Sequence, residues 1–214
     1  MARGGISEHK AKHLFKTLGL EELVSRAREL SMKKFENEIM IYAPSFLRYS
    51  VPGFSNLNCK YPAISVTGTN CALNCEHCRG ELLKRMIPAT TPQKLFKVCK
   101  ELEKKGARGC LISGGADERG EVQLWNFVDV MKKIKEESNL TLVVHTGMVK
   151  KNLASKLAHA KIDVALMDVI GDRETMSKVY HLSSSPEDFL DSMKNLKSVG
   201  VKICLLYTSP SPRD

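Results

Sequence analysis

The chain has 214 residues, room for one domain of roughly 150 residues and part of another. An apolar share of 43% and a charged share of 27% exclude a wholly disordered chain, and no run of about 18 apolar residues offers a transmembrane helix. The formal charge is +9, but Lys and Arg alternate with Asp and Glu and aromatics make up only 6%, which argues for solvated helix faces and against a nucleic-acid or base-stacking surface.

The N-terminus enters a charged stretch with no apolar core of a secretory signal, so the expected location is the cytoplasm, with no membrane partner. Residues 6–34 carry Leu14, Leu18, Leu20, Leu23, Ala27 and Leu30 mostly at three- and four-residue steps, the spacing of helix. Gly19 divides that stretch into two helices, and Glu21 and Glu22 suit the first turn of the second. A short strand is expected at 39–42 and a loop at 44–58. Beyond it the pattern alternates. Strands are expected at 61–67, 109–113, 140–145 and within 162–170, and helices at 92–105, 122–137, 149–160 and 186–199. Another strand begins at Val201.

Short apolar strands alternating with amphipathic helices mean βαβ units, a parallel sheet and right-handed crossovers. The fold class is therefore α/β, closed either as a doubly wound sheet or as a partial (β/α) barrel. In both, chemistry gathers at the C-terminal ends of the strands. The chain reads as an N-terminal helical extension and linker over 1–58, a core over 59–203, and a tail over 204–214. The tail, CLLYTSPSPRD, can be back-translated to a string that resembles a transposase adapter used in preparing sequencing libraries, a Ser/Pro-rich disordered tail being the alternative. It is accordingly set aside as non-native, leaving the core truncated mid-domain.

Seven cysteines, an odd number, suit metal or redox chemistry better than a disulfide framework. Cys71, Cys75 and Cys78 form a Cys-x3-Cys-x2-Cys run just after the first strand of the alternating region. Adjacent thiolates repel unless a cation lies between them, so a metal is expected there. Structural zinc usually takes four ligands in two separated pairs, and no second pair is present. Three ligands suit a 4Fe–4S cluster with one iron left open, a structural zinc or cluster site being the alternative. Cys59, Cys99 and Cys110 have no metal spacing, and the last two read as buried small hydrophobes. Further polar residues stand at strand ends: Gly114, Gly115, Asp117 and Glu118 after the second strand, His145 after the third, and Asp168 with Gly171 and Asp172 after the fourth. Asp172 reads as local capping, and Tyr180 and His181 as a surface turn, with reach to a substrate as the alternative. No Ser–His–acid or two-carboxylate arrangement stands out, which disfavours an ordinary hydrolase.

The cysteine spacing, with His77 before the third Cys and repeated βα units behind it, resembles the radical S-adenosylmethionine superfamily from about residue 61 to 202. That resemblance implies a TIM-barrel-like core in which Cys71, Cys75 and Cys78 hold three irons and S-adenosylmethionine chelates the fourth. Reductive cleavage would give a 5′-deoxyadenosyl radical that takes hydrogen from substrate. It implies further that His77 lies by the adenine and that Gly114 and Gly115 match the family's Gly-Gly-Glu element. Ala116 stands at that element's acidic position, so Asp117 becomes the candidate acid. His145 is expected at cofactor or substrate and Asp168 at the ribose. The segments SVTGTNCALNCEHC, MIPATTP, CLISGG, VVHTG and ALMDVIGD look most like the biotin-synthase-related branch, including archaeal-type lipoyl synthase components. This implies sulfur insertion into a small-molecule or acyl-carrier substrate, with a reductant such as ferredoxin or flavodoxin. A nucleic-acid-modifying radical enzyme is the alternative within the superfamily.

Overall fold

A computed structural model describes residues 8–35, 50–55 and 60–206. Contacts divide the chain into two units, 1–43 and 44–214. In the first, α1 (Glu8–Thr17) and α2 (Leu20–Phe35) are the two helices expected on either side of Gly19. The strand expected at 39–42 lies outside the described residues, as does Cys59.

The second unit opens with a two-strand hairpin, β1 (Ser50–Val51) and β2 (Phe54–Ser55), inside the segment expected to be loop. The main sheet follows: β3 (Ala63–Ser65), β4 (Ile87–Pro88), β5 (Gly109–Ser113), β6 (Thr141–His145), β7 (Val164–Asp168) and β8 (Ile203–Leu206). Its order is β4-β3-β5-β6-β7-β8, and every pairing is parallel. Helices α3 (Pro92–Lys104), α4 (Val128–Glu137), α5 (Lys151–His159) and α7 (Pro186–Ser198) alternate with the strands as expected. No helix among the described residues is long and apolar enough to cross a membrane.

Local chemistry sets these boundaries. Thr91 caps α3 by accepting from the Lys94 amide at 3.2 Å, with Pro92 in the first turn where its missing N–H costs nothing. Pro186 does the same for α7, and the Ser185 amide donates to Asp188 Oδ2 at 2.7 Å. Gly109 is required by crowding, because a Cβ there would lie 2.3 Å from the Tyr61 ring and 2.5 Å from the Thr141 carbonyl.

Three further elements depart from the expectation. β4 is a two-residue edge strand too short to leave a periodic signal. The helix expected from 122 begins only at Val128, because Ala116 bridges Val122 and Glu121 bridges Gly147, which hold that stretch extended before a 3-10 turn at Trp125–Phe127. A short helix, α6 (Arg173–Lys178), occupies the β7–α7 connection. β8 reaches into the stretch read as adapter, with Cys204, Leu205 and Leu206 opposite Leu166, Met167 and Asp168. Parallel edges pair through backbone groups, so an apolar run of any origin can extend such a sheet.

Side chains alternate across the strands. Ile64, Cys110, Ile112, Leu142, Val144, Ala165 and Met167 face the helices and join one core with Leu95, Met131, Ile134, Leu157 and Leu196. Leu111, Ser113, His145, Leu166 and Asp168 face the other way, into a cavity.

Candidate metal and cofactor site

That cavity measures about 280 Å³, and its wall includes Cys71, Cys75, His77, Cys78, Gly114, Gly115, His145 and Asp168. Eight of the nine expected site residues therefore converge on one space. Asp117 does not. Its carboxylate is engaged within its own turn, where Oδ1 accepts from the amides of Arg119 (2.9 Å) and Glu121 (3.0 Å) and Oδ2 from Gln123 Nε2 (3.0 Å). It borders an open groove on the far side of Cys71 instead.

The cysteine loop is tied at several points. Inside it, the amides of Cys78 and Arg79 donate to the Cys75 carbonyl at 3.1 and 2.8 Å, which turns the chain back on itself. The Ala72 amide reaches the Ala116 carbonyl at 2.9 Å, fixing the loop to the end of β5. Gly115 packs so closely that a Cβ there would lie 2.0 Å from the Asn70 carbonyl oxygen and 2.6 Å from Cys71 Cα. Its amide donates to Thr67 Oγ1 at 2.7 Å.

Cys75 is buried, while Cys71 and Cys78 are half-buried. Burial pushes the Cys75 thiol up to about 11, and the neighbouring thiols of Cys78 and Cys71 push the same way. Bare, the site therefore opposes ionisation of Cys75. A cationic iron cluster removes that conflict by accepting the thiolates, so the donor set fits such a group. No three described His, Cys, Asp or Glu side chains are grouped to hold a single metal ion. In a cluster each thiolate binds an iron of its own.

Opposite the cysteines, His145 Nε2 lies 2.9 Å from Asp168 Oδ2 and Nδ1 lies 3.2 Å from Ser113 Oγ. The carboxylate accepts from Nε2–H, which leaves Nδ1 to accept from the Ser113 hydroxyl. Sequence spacing hid this chain, because its members lie on three separate strands. It is not a hydrolase triad: the imidazole is turned the other way round, and Ser113 is only 3% exposed. The rest of the wall is mostly apolar and includes Tyr180, with Leu82, Leu83, Met86, Ile170, Leu182 and Phe189 carrying no mark in the sequence. Phe189 lies on α7 and Leu82 and Leu83 in a 3-10 turn at Glu81–Arg85, while the others come from loops, where no periodicity marks a cavity face.

Tyr180 and His181 are not a free surface turn. Tyr180 is 9% exposed, its ring 4.8 Å from that of His77. Asp172 caps α6 as expected, accepting from the Thr175 amide at 2.7 Å. Cys99 and Cys110 are fully buried, also as expected, with their sulfurs 4.0 Å apart.

The family model described as "Radical SAM superfamily" matches residues 65–209. Among solved structures, methylornithine synthase (PylB) superposes with a TM-score of 0.52 at 17% identity, over 96% of this chain and 56% of its own. HydG, a maturase of the [FeFe]-hydrogenase, gives 0.54 at 14% identity, over 89% and 40%. SuiB of Streptococcus suis, bound to S-adenosylmethionine, gives 0.53 at 16% identity, over 89% and 46%. The chain thus spans about half the length of these proteins, and at such identities the likeness is one of fold. No curated protein sequence matches the chain.

Proposed function

The chain belongs to the radical S-adenosylmethionine superfamily, and from that premise we propose that it holds a 4Fe–4S cluster on Cys71, Cys75 and Cys78 and binds S-adenosylmethionine in the adjoining cavity. The observation that carries the proposal is the convergence of the three cysteines, the Gly114–Gly115 segment and the His145–Asp168 pair on one cavity at the strand ends. When bound, the cluster supplies the electron that cleaves the sulfonium of the cofactor to a carbon radical.

The chain's own residues bind, orient and exclude water. The three thiolates would each hold one iron and leave the fourth for the cofactor. Gly115, lacking a Cβ, lets the cysteine loop pack against the end of β5, and both glycines line the cavity beside it. Asp117 braces that segment through its turn and does not touch the cofactor. Asp168 accepts from ribose hydroxyls, and His77 borders the adenine through its backbone. Held between Asp168 and Ser113, His145 presents a fixed ring to cofactor or substrate. Leu111, Leu166, Ile170 and Phe189 keep water from the space where the radical would form.

The sequence segments shared with the biotin-synthase-related branch support a finer reading: sulfur insertion into an unactivated C–H bond of a small-molecule or acyl-carrier substrate, with ferredoxin or flavodoxin as electron donor. Anaerobic reconstitution with iron and sulfide, followed by dithionite and S-adenosylmethionine, is expected to yield methionine and 5′-deoxyadenosine. Replacing Cys75 by Ser should abolish the yield. A four-iron centre whose EPR signal ignores added S-adenosylmethionine, with no 5′-deoxyadenosine formed, would overturn the proposal.

A further inference from the structure

The segment Val179–Tyr180–His181, which follows α6, lies along the cysteine loop about a hundred residues away in sequence and meets it residue by residue. The Glu76 amide donates to the Val179 carbonyl at 2.8 Å. Cys75 Sγ lies 3.7 Å from the Tyr180 carbonyl. The His77 and Tyr180 rings are in tilted contact at 4.8 Å. His181 takes hold at two places: Nδ1 lies 2.7 Å from the Leu73 carbonyl, and Nε2 lies 3.3 Å from Glu76 Oε1. Leu73 and Glu76 flank Cys75, so His181 bridges the two sides of the middle cysteine. The Leu73 carbonyl can only accept, so Nδ1 carries the proton and donates.

His181 does this from a backbone φ of +57°, a left-handed conformation that a residue with a Cβ adopts at a cost. Such conformations persist where the surroundings over-determine them. Here the Leu182 amide closes the turn by donating to the Met176 carbonyl at 2.9 Å, and the His181 side chain adds its two contacts with the loop.

We propose that Tyr180 and His181 form a clasp that sets the shape of the cluster-binding loop, with His181 as a positioning residue for Cys75. The proposal rests on the cluster reading above, but its geometry belongs to the bare chain. Tying residues 73–77 to the α6–α7 connection links the cysteines, through α6, to the strand that ends in Asp168. The two sides of the cavity are thereby held in one frame.

Two variants separate the side-chain bond from the backbone. His181→Asn keeps a donor near the position of Nδ1 and tolerates a positive φ, whereas His181→Gly relieves the backbone and removes the donor. In apo protein under reducing conditions, site-resolved alkylation by iodoacetamide reads opening of the loop at Cys75, with Cys99 and Cys110 as controls. Loss of one hydrogen bond predicts alkylation of Cys75 about fivefold faster in His181→Gly, Asn restoring most of the wild-type rate, and no change at Cys99 or Cys110. An unchanged Cys75 rate in the Gly variant overturns the clasp. So does a parallel rise at all three cysteines, which would report general loosening.

The second readout is the EPR spectrum of the reduced, reconstituted protein, whose line shape is expected to change in the Gly variant and to return in Asn. Identical spectra in all three proteins overturn the positioning role. If wild-type protein shows no four-iron signal at all, the cluster reading fails, and the alkylation rates still decide whether the clasp exists.

Discussion

Replacing Gly115 by Ala tests whether the strand end and the cysteine loop are one structural object. The added methyl would sit 2.0 Å from the Asn70 carbonyl oxygen and 2.6 Å from both Cα and Cβ of Cys71, all of them atoms that cannot rotate away. Relieving the contact moves the loop by at least about 1 Å, since real Cβ atoms essentially never approach closer than 3.0 Å. The φ of Gly115 is not positive, so Ala is not strained there and recovers about 0.4–1 kcal/mol from the unfolded chain. Overpacking costs about 1–3 kcal/mol, which leaves a net loss of about 1–2 kcal/mol. At about 2–4 °C per kcal/mol for a chain of this size, Tm falls by only a few degrees.

Cluster binding is affected more. Metal–ligand distances tolerate about 0.2 Å, and Cys71 is displaced by several times that amount. Gly115→Ala should therefore lose more than half its iron and sulfide on anaerobic reconstitution while remaining folded. Gly114→Ala is the control, because its methyl meets only side-chain atoms, Thr67 Cγ2 at 3.0 Å and Val66 Cγ2 at 3.2 Å, which can adjust. Iron, sulfide and EPR signal are measured beside circular dichroism melts. A Gly115→Ala protein with wild-type iron content and signal would refute the reasoning.

Asp163 Oδ2 accepts from Lys135 Nζ and from the Leu142 amide, each at 2.7 Å, and so fastens α4 to the starts of β6 and β7. Asp163→Ala should lower stability by about 1–2 kcal/mol, the pair being partly exposed, and a urea melt reads the loss. The amides at the start of α6 hold the Asp172 carboxyl below its ordinary value, so its stabilisation is present above about pH 3.8 and is lost as pH falls below it. Asp172→Asn keeps a cap but does not titrate, so its Tm is expected to fall less than that of wild type between pH 7 and pH 3. In apo protein the alkylation rate of Cys75 should keep rising with pH towards about 11, where an ordinary thiol levels off near 9. A plateau near 9 would show that burial and the neighbouring thiols do not act on it.

Signals of short range were legible in the sequence. The cysteine trio lies within eight residues, the helices of the sheet have 3.6-residue spacing, with capping residues on α3 and α7, and the strand ends follow from apolar runs that stop at a polar residue. Juxtapositions made by the sheet were not. Ser113, His145 and Asp168 look unrelated along the chain and become neighbours only once β5, β6 and β7 lie side by side. Asp117 is the nearest acid to Ala116 along the chain, but the bridge from Ala116 to Val122 curls that segment into a turn that engages its carboxylate. His181 carries no local mark of its role, since its partners lie 108 and 105 residues earlier.

Strand register and site chemistry turn out to be a single constraint. Ser113, His145 and Asp168 are each the last residue of their strand, and each is preceded by a fully buried apolar residue: Ile112, Val144 and Met167. Because side chains alternate, a slip of one residue in any strand would turn that apolar residue into the cavity and drive the polar one into the helix-facing core. Burying an unpaired His or Asp there costs several kcal/mol, so the packing that stabilises the sheet also excludes registers in which the site is lost. His145 pairs with Leu166, two residues before Asp168, and an offset of two keeps both polar side chains on the cavity face. The cysteine loop has no such protection, since its backbone follows no ladder. Its bonds to Ala116 and to residues 179–181 supply from outside what register supplies to the strands.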